Sequence, residues 1–362
     1  MAQTRHTMKK IFLSLVLLLV STRAIFAQSS LLATLSHEGE ITVFYGADAL
    51  KDAHAAAQHG DAITLSSGTF NATNITKAIT LRGAGMAIDT LKNTYPTVIN
   101  GSFNIEIGDS VSKQLTVEGI YNNFTITVKN GLNNATFIKN RLGSFQNGTT
   151  AGDTVQYENN RFIHCKITNY SGPQTVEMSS ATFSNCYIKL SFNGNCNSIF
   201  TNCIVNKENN AVNTQLSEFE KCTFYNCIFI GSNSNTSSYN VLKINNVAYN
   251  CIATNITTNN TTKTSSYYTF ANITNDTNKA IQSISSVFKS FNGTYTDLQD
   301  FELVDDIKTS FKGTDGTQVG IHGGSLPFSP ATTNPQITKC NVASRSTADG
   351  KLSVDIEVTC GE

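Results

Sequence analysis

Phe162-Ile-His-Cys-Lys-Ile167, Phe183-Ser-Asn-Cys-Tyr-Ile188, Phe200-Thr-Asn-Cys-Ile-Val205, Phe224-Tyr-Asn-Cys-Ile-Phe229 and Ala248-Tyr-Asn-Cys-Ile-Ala253 are one phrase written five times. Its cysteines, Cys165, Cys186, Cys203, Cys227 and Cys251, are 21, 17, 24 and 24 residues apart. A period of about 20–25 residues built from short apolar strands is that of a solenoid, each repeat forming one coil. A single coil cannot bury its apolar face, but stacked coils share one continuous core.

Strand alternation places the first residue of the phrase inward and the next outward. Asn185, Asn202, Asn226 and Asn250 then share one position. A bend there demands the left-handed conformation that Asn tolerates. After the bend, the Cys and the residue two further on point inward again. Phe137-Ile-Lys-Asn-Arg-Leu142 fits the same frame one coil earlier, and Leu81-Arg-Gly83 and Val117-Glu-Gly-Ile120 fit it earlier still, with Gly at the bend. Lys139 and His164 depart from the pattern at that position. Stacked at about 4.8 Å, the equivalent positions form ladders of Phe, Asn and Cys, and Asn side chains are expected to hydrogen-bond from coil to coil.

Outward from the repeats, residues 48–60 read as a short amphipathic helix ended by Gly60, covering the open end of the first coil. Residues 61–70 and 78–85 supply the first strands and turns. Segments 231–240 and 254–279 are rich in Asn, Thr and Ser and read as loops leaving the stack. Residues 337–342 and 352–358 flank Ala348-Asp349-Gly350 as a β-hairpin expected to close the C-terminal end. The fold expected is all-β: a right-handed single-stranded parallel β-helix over 28–330, with a short N-terminal helical cap and a C-terminal β-hairpin over 331–362.

The stretch Ala53-His-Ala-Ala-Ala-Gln-His-Gly-Asp61-Ala-Ile-Thr-Leu65, followed by Gly68-Thr-Phe70 and Ile79-Thr-Leu-Arg-Gly83, resembles the first coil of right-handed parallel β-helix proteins of the pectin-lyase-like superfamily. Gly313-Thr-Asp-Gly-Thr-Gln-Val-Gly-Ile-His-Gly-Gly324 resembles the closing coil of bacterial secreted members. The resemblance implies the fold over roughly Leu31 to Pro330. It leaves activity open, because the superfamily holds lyases, hydrolases, esterases and inert adhesive or structural proteins.

Arg5, Lys9 and Lys10 precede an apolar run from Ile11 to Val20, with small residues up to Ala27. That run is too short to span a bilayer and has the order of a signal peptide over 1–27. Export to the periplasm, cell surface or medium is expected, with no membrane-spanning segment. Of 26 basic residues the leader takes four, leaving 22 against 26 acidic ones, a net charge of −4. No basic stripe exists to follow a phosphate backbone, so nucleic acid is not an expected partner. A monomer is expected.

The nine cysteines invite a disulfide framework, and the odd number leaves one over. One Cys per coil argues instead for small inward side chains. Stacked Cβ atoms near 4.8 Å exceed the roughly 3.5–4.5 Å of a disulfide. Cys196 and Cys222 share the inward parity. Cys340 and Cys360, nearly symmetric about the Asp349-Gly350 turn, are the candidate disulfide. No Cys-x-x-Cys occurs and the His residues are scattered, so no metal is expected.

An enzyme of this superfamily needs acids or bases converging on one outer face: calcium-binding carboxylates with a basic residue for a lyase, or paired acids for a hydrolase. Glu106, Asp109, Glu118, Asp153, Glu158, Glu177, Glu208, Glu218 and Glu220 occupy unrelated positions in the repeat. Asp305-Asp306, Asp315 and His322 are read as turn residues. No catalytic residue is assigned.

The residue after the Cys position faces outward, giving Arg141, Lys166 and Tyr187 on successive coils. The residue before Asn gives Tyr225 and Tyr249 on two more. Cations beside aromatic faces suit sugar rings and acidic glycans, although long side chains also pack sideways along any sheet face. These five are the glycan-binding candidates. The expected function is a non-catalytic exported β-helix, glycan-binding, adhesive or structural. A polysaccharide lyase, with calcium as cofactor in that case alone, and a rigid protein-interaction scaffold are the alternatives.

Overall fold

A computed structural model describes residues 31–88, 95–108, 113–148, 157–171, 178–192, 195–207, 219–232, 239–240, 245–256, 268–269, 277–281, 283–331, 336–347 and 349–359. It is a parallel β-helix built on two eleven-stranded sheets. In the first sheet, strands from Ala62–Leu65 to Val247–Tyr249 follow one another in chain order and in parallel. In the second, the order runs from Gly68–Asn71 to Lys279–Ile281. A short third sheet pairs Met178–Ser179, Asn195–Cys196 and Phe219–Glu220.

The phrase dictates the register. Phe137, Phe162, Phe183, Phe200 and Phe224 lie directly above one another, with successive ring centroids 4.9, 4.7, 4.6 and 4.8 Å apart. Ala248 continues the row. Phe145 and Phe219 meet the row edge-on, an arrangement the ring quadrupole favours. All of these are buried in one cluster that includes Cys165, Cys186, Cys203, Cys222, Cys227 and Cys251.

The bend forms as expected. Asn185, Asn202, Asn226 and Asn250 have φ between 50° and 56°, and Lys139 and His164 at the same rung are also left-handed, both at φ 52°. Gly119 is at φ 67°. Gly83 has a different reason to be Gly: a Cβ there would lie 2.4 Å from the Gly119 carbonyl oxygen.

The Asn at the bend does not bond its counterpart in the next coil. Asn185 Nδ2 donates to the carbonyls of Ile321 and Gly323, Asn226 Oδ1 accepts from Thr314 N–H, and Asn250 Nδ2 donates to Lys312 O. Coil-to-coil bonding falls to a second set of Asn. Asn140, Asn160, Asn246 and Asn278 donate to the carbonyls of Val117, Leu132, Phe219 and Ala248. Each accepts from the N–H three residues further along, that of Ile120, Ala135, Cys222 or Cys251. Each thus satisfies both polar groups left over where the coil below turns.

Asn140 and Asn278 occupy the Cys position in the coils that precede and follow the five cysteines. The thiols do the same work. Cys165, Cys186, Cys203, Cys227 and Cys251 donate to the carbonyls of Phe137, Phe162, Phe183, Phe200 and Phe224 in the coil below. Cys165 N–H and Cys227 N–H in turn donate to the sulfurs above them. These cysteines are free and buried. They are weak hydrogen-bonding rungs as well as small core side chains.

The ends differ from the expectation. An antiparallel hairpin, Leu32–His37 with Glu40–Tyr45, opens the first sheet. Helix α1 spans Ala49–Ala56 and buries Ala49, Leu50 and Ala53 against the first strands. It stops before Gly60 because Ala57 is extended. The chain there lets His59 Nδ1 accept from Ala78 N–H and Gly60 N–H donate to Ala78 O. Parts of segments 231–240 and 254–279 are strand: Ile228–Ser232 pairs Ile252–Ile256, and Tyr239–Asn240 pairs Tyr268–Thr269.

Residues 283–330 add no coil. They form a strap, containing helix α2 (Asp305–Ser310), that packs across the outer side of the second sheet. Ile284, Val287, Phe288, Phe291, Phe301, Leu303, Ile307, Val319 and Ile321 cover Tyr187, Ile204, Ile228, Ile230 and Ile252. The segment 313–324, which reads as a closing coil, instead lies along the bends and meets them from Asn250 back towards His164, whose Nε2 contacts Leu326 O. The C-terminal hairpin pairs Gln336–Val342 with Val354–Thr359. Its described side chains are exposed rather than packed against the stack. Cys360 and the side chain of Cys340 lie outside the described residues, as does the leader.

Candidate functional site

The residue after the Cys position in each coil forms one outward row of the second sheet. Register puts Val98, Tyr121, Arg141, Lys166, Tyr187, Ile204, Ile228 and Ile252 in line. The strap covers the row from Ile252 down to Tyr187 and ends over Lys166 and Arg141. Where the cover stops, a cleft of about 320 Å³ opens. Tyr121, Arg141, Lys166 and Asp297 line it, with Met86, Ala87, Ile88, Pro96, Val98, Leu298 and Pro330 around them.

Asp297, from the strap, gathers the polar groups. Its Oδ1 accepts from Arg141 Nε and from the Tyr295 hydroxyl, both at 2.9 Å, and its Oδ2 accepts from the Tyr121 hydroxyl at 2.9 Å. Burial pushes this carboxyl up, but the Arg141 guanidinium and the two hydroxyls outweigh burial and hold it below the ordinary carboxylate range. Arg141 also donates from Nη1 to Asn122 O at 3.3 Å, and its guanidinium lies over the Tyr121 ring, 5.1 Å from the centroid. Burial raises the pKa of both Tyr121 and Tyr295, so both are neutral donors.

Lys166 is placed differently. Its Nζ donates to two strap carbonyls, Asp297 O at 3.2 Å and Gln299 O at 3.1 Å. It lies 5.5–5.9 Å from the ring centroids of Phe328, Tyr295 and Phe301. Burial pulls its pKa down to about 8; Asp297 and Asp300 oppose that shift and Arg141 adds to it. Among the described residues Arg141 has a carboxylate partner, and the partners of Lys166 are carbonyls and rings. The cleft floor therefore carries one positive charge in excess.

Of the five candidates, the structure brings two together here, Arg141 and Lys166. Tyr187 leaves the coil on the expected side but is wholly buried beneath the strap, stacked on Tyr295 and Phe301. Tyr225 and Tyr249 precede the bend and belong to the first sheet, on another face. They are half-buried and stack on each other, with centroids 5.2 Å apart and planes at 10°. This is the sideways packing open to any ladder of rings.

Tyr121 is a site residue that the repeat itself could have supplied, since it follows the bend of Val117-Glu-Gly-Ile120 as Lys166 follows that of its own phrase. Asp297 and Leu298 carry no comparable signal, because they reach the site from 156 and 132 residues beyond Arg141 and Lys166 in the chain.

The other candidate groups that are described stay apart, and Asp109, Asp153, Glu177, Glu208 and Glu218 lie outside the described residues. Asp305 and Asp306 begin helix α2 rather than a turn, and Asp305 pairs with Lys289 at 3.0 Å. Asp315 holds its own turn through Thr317, and His322 contacts Asp300 O. Glu118 pairs with Arg82 and Glu106 with Lys129. Among the described residues no three His, Cys, Asp or Glu side chains converge as metal ligands, and no helix is long and apolar enough to cross a membrane. No family model, curated protein or solved structure matches the chain.

Proposed function

We propose that this is an exported, non-catalytic β-helix protein that binds an acidic glycan residue in the cleft over Tyr121, Arg141 and Lys166. One observation carries the reading: Lys166, at the cleft floor, brings a charge that forms no ion pair with a carboxylate among the described residues. A ligand carboxylate there gains a charge-assisted hydrogen bond in a partly desolvated site, where such bonds are strongest. Arg141, whose charge Asp297 already matches, positions the floor rather than adding a second anion site. Kinship with the pectin-lyase-like superfamily is part of this proposal and rests on the resemblance of residues 53–83. The export that would bring the chain to surface glycans rests on the leader.

A second reading is a polysaccharide lyase with Lys166 as base. In its favour is the pKa of about 8, close to the range of a working base. Against it, two carbonyls hold the same amine. Calorimetry with uronate oligosaccharides, run beside an ultraviolet assay for unsaturated products, separates the readings. Binding without product, lost when the sugar carboxyls are reduced to alcohols, supports the proposal. Product formation replaces it with the lyase, and no binding by any acidic oligosaccharide leaves the adhesive or scaffold role.

A further inference from the structure

We infer that the cleft selects an acidic sugar residue that carries a short acyl group beside its carboxylate. The inference rests on the binding reading above and narrows its ligand.

The floor accounts for the charge. With Arg141 matched by Asp297, Lys166 offers one positive charge and so favours a ligand with one negative charge at that point. The walls account for the rest. Met86, Ile88, Pro96, Val98 and Leu298 are aliphatic or nearly so. Ile88 is 59% exposed and Leu298 is 97% exposed, so the mouth holds apolar side chains standing in water.

A bare sugar fits such walls poorly. Its hydroxyls would give up water without finding donors or acceptors, which costs more than the contact returns. Aromatic faces are the usual remedy, but the one ring at the floor, Tyr121, already has the Arg141 guanidinium over it. An acyl methyl on the sugar reverses the sign, because it buries its own apolar surface against Ile88 and Leu298 while the carboxylate reaches Lys166. The volume, about 320 Å³, is near the small end of ligand pockets and suits one substituted residue rather than a run of chain.

The test compares an O-acetylated mannuronate trimer with the same trimer after saponification, by calorimetry on the full mature chain. One buried methyl is worth roughly fourfold in affinity, so the acetylated trimer should bind at least that much more tightly. Leu298→Ala, at a side chain too exposed to matter for folding, should reduce the ratio of the two affinities measured in the same variant, and Leu298→Ala combined with Ile88→Ala should bring that ratio to about one. Equal binding of the two trimers overturns this inference and leaves the acidic-glycan reading standing. Binding of neither overturns both. A preference that survives Leu298→Ala and Ile88→Ala together also overturns it, since the acyl group would then sit elsewhere.

Discussion

Tyr187 is where the strap is most firmly held, and replacing it should free the strap before the coils. The ring is wholly buried and stacks on both Tyr295 and Phe301, 4.8 Å from each centroid and within 22° of parallel. Phe291 meets it edge-on at 6.5 Å. Its hydroxyl accepts from Asn206 Nδ2 at 2.9 Å, and the next acceptor for that amide, Gly293 O, is at 3.5 Å. Tyr187→Ala removes the ring and leaves a cavity that the surrounding aromatics cannot fill, so it should cost about 3–5 kcal/mol. Tyr187→Phe keeps the stack but strands a buried amide whose oxygen already lacks a partner; about 1–3 kcal/mol is expected.

The location of the loss is the sharper expectation. The strap packs in a cluster distinct from the Phe and Cys ladders, and the ladders are held by coil-to-coil bonds in which the Tyr187 side chain takes no part. A loss at Tyr187 should therefore open the strap as a local unit rather than unfold the molecule. Hydrogen exchange followed by mass spectrometry reads this directly. Protection of residues 283–330 should fall in Tyr187→Ala while peptides around Phe162, Phe183 and Phe200 keep theirs. Unchanged strap protection, or equal loss in strap and coils, would refute the two-layer reasoning.

Three further outcomes are expected. Burial holds the His54 pKa at about 4, with Lys77 adding to it, and its Nε2 accepts from Thr76 N–H. The native state then binds fewer protons than the unfolded chain between pH 6.5 and 4, so stability should fall on acidification, by about 1–2 kcal/mol at pH 5. His54→Leu should flatten that part of the urea-midpoint profile, whereas the His37–Asp61 pair, whose raised His pKa has the opposite sign, should be unaffected. Cys165, Cys186, Cys203, Cys222, Cys227 and Cys251 are wholly buried. They should resist iodoacetamide until denaturant opens the coils, and labelling of any one of them in the native protein would contradict the ladder. His164→Asn should raise the melting temperature by a few degrees, on the order of 0.5–1 kcal/mol, because it puts Asn into a left-handed rung and removes a buried ring nitrogen without a partner. A lower melting temperature would mean that the ring's contacts with Leu326 and Phe328 outweigh the bend.

The coil was legible because its cause is local and repeated. A Phe, a left-handed Asn and a Cys recurring every 17–24 residues fix inward parity, bend and register together, and each copy corroborates the others. The same logic would have extended to Tyr121. The role of the bend Asn was misassigned for a physical reason: a side chain that leaves a left-handed bend points away from its own stack. What it meets there depends on a segment far along the chain. The strap was illegible on similar grounds. Its apolar residues, from Phe288 and Phe291 to Val319 and Ile321, follow no period, and the Gly-rich run at 313–324 has the composition of a coil turn whether it closes a stack or lies along one. Arg141 and Lys166 could be placed on an outward row, but their burial and their separation from Tyr225 and Tyr249 could not be foreseen.

The strap also explains why the cleft lies where it does. A β-helix repeats its outer face at every coil, so a ladder of like residues offers the same weak contact many times and singles out no position. Between Ile204 and Ile252 the outward row is aliphatic and simply buries the strap. Towards the other end the row changes to Tyr121, Arg141 and Lys166, and there the strap supplies Asp297 and two carbonyls as well as rings. The change from apolar to charged partners falls at the edge of the cover, where water and ligand have access. The excess charge of Lys166 is thus created by how the strap ends: one carboxylate delivered to two cations.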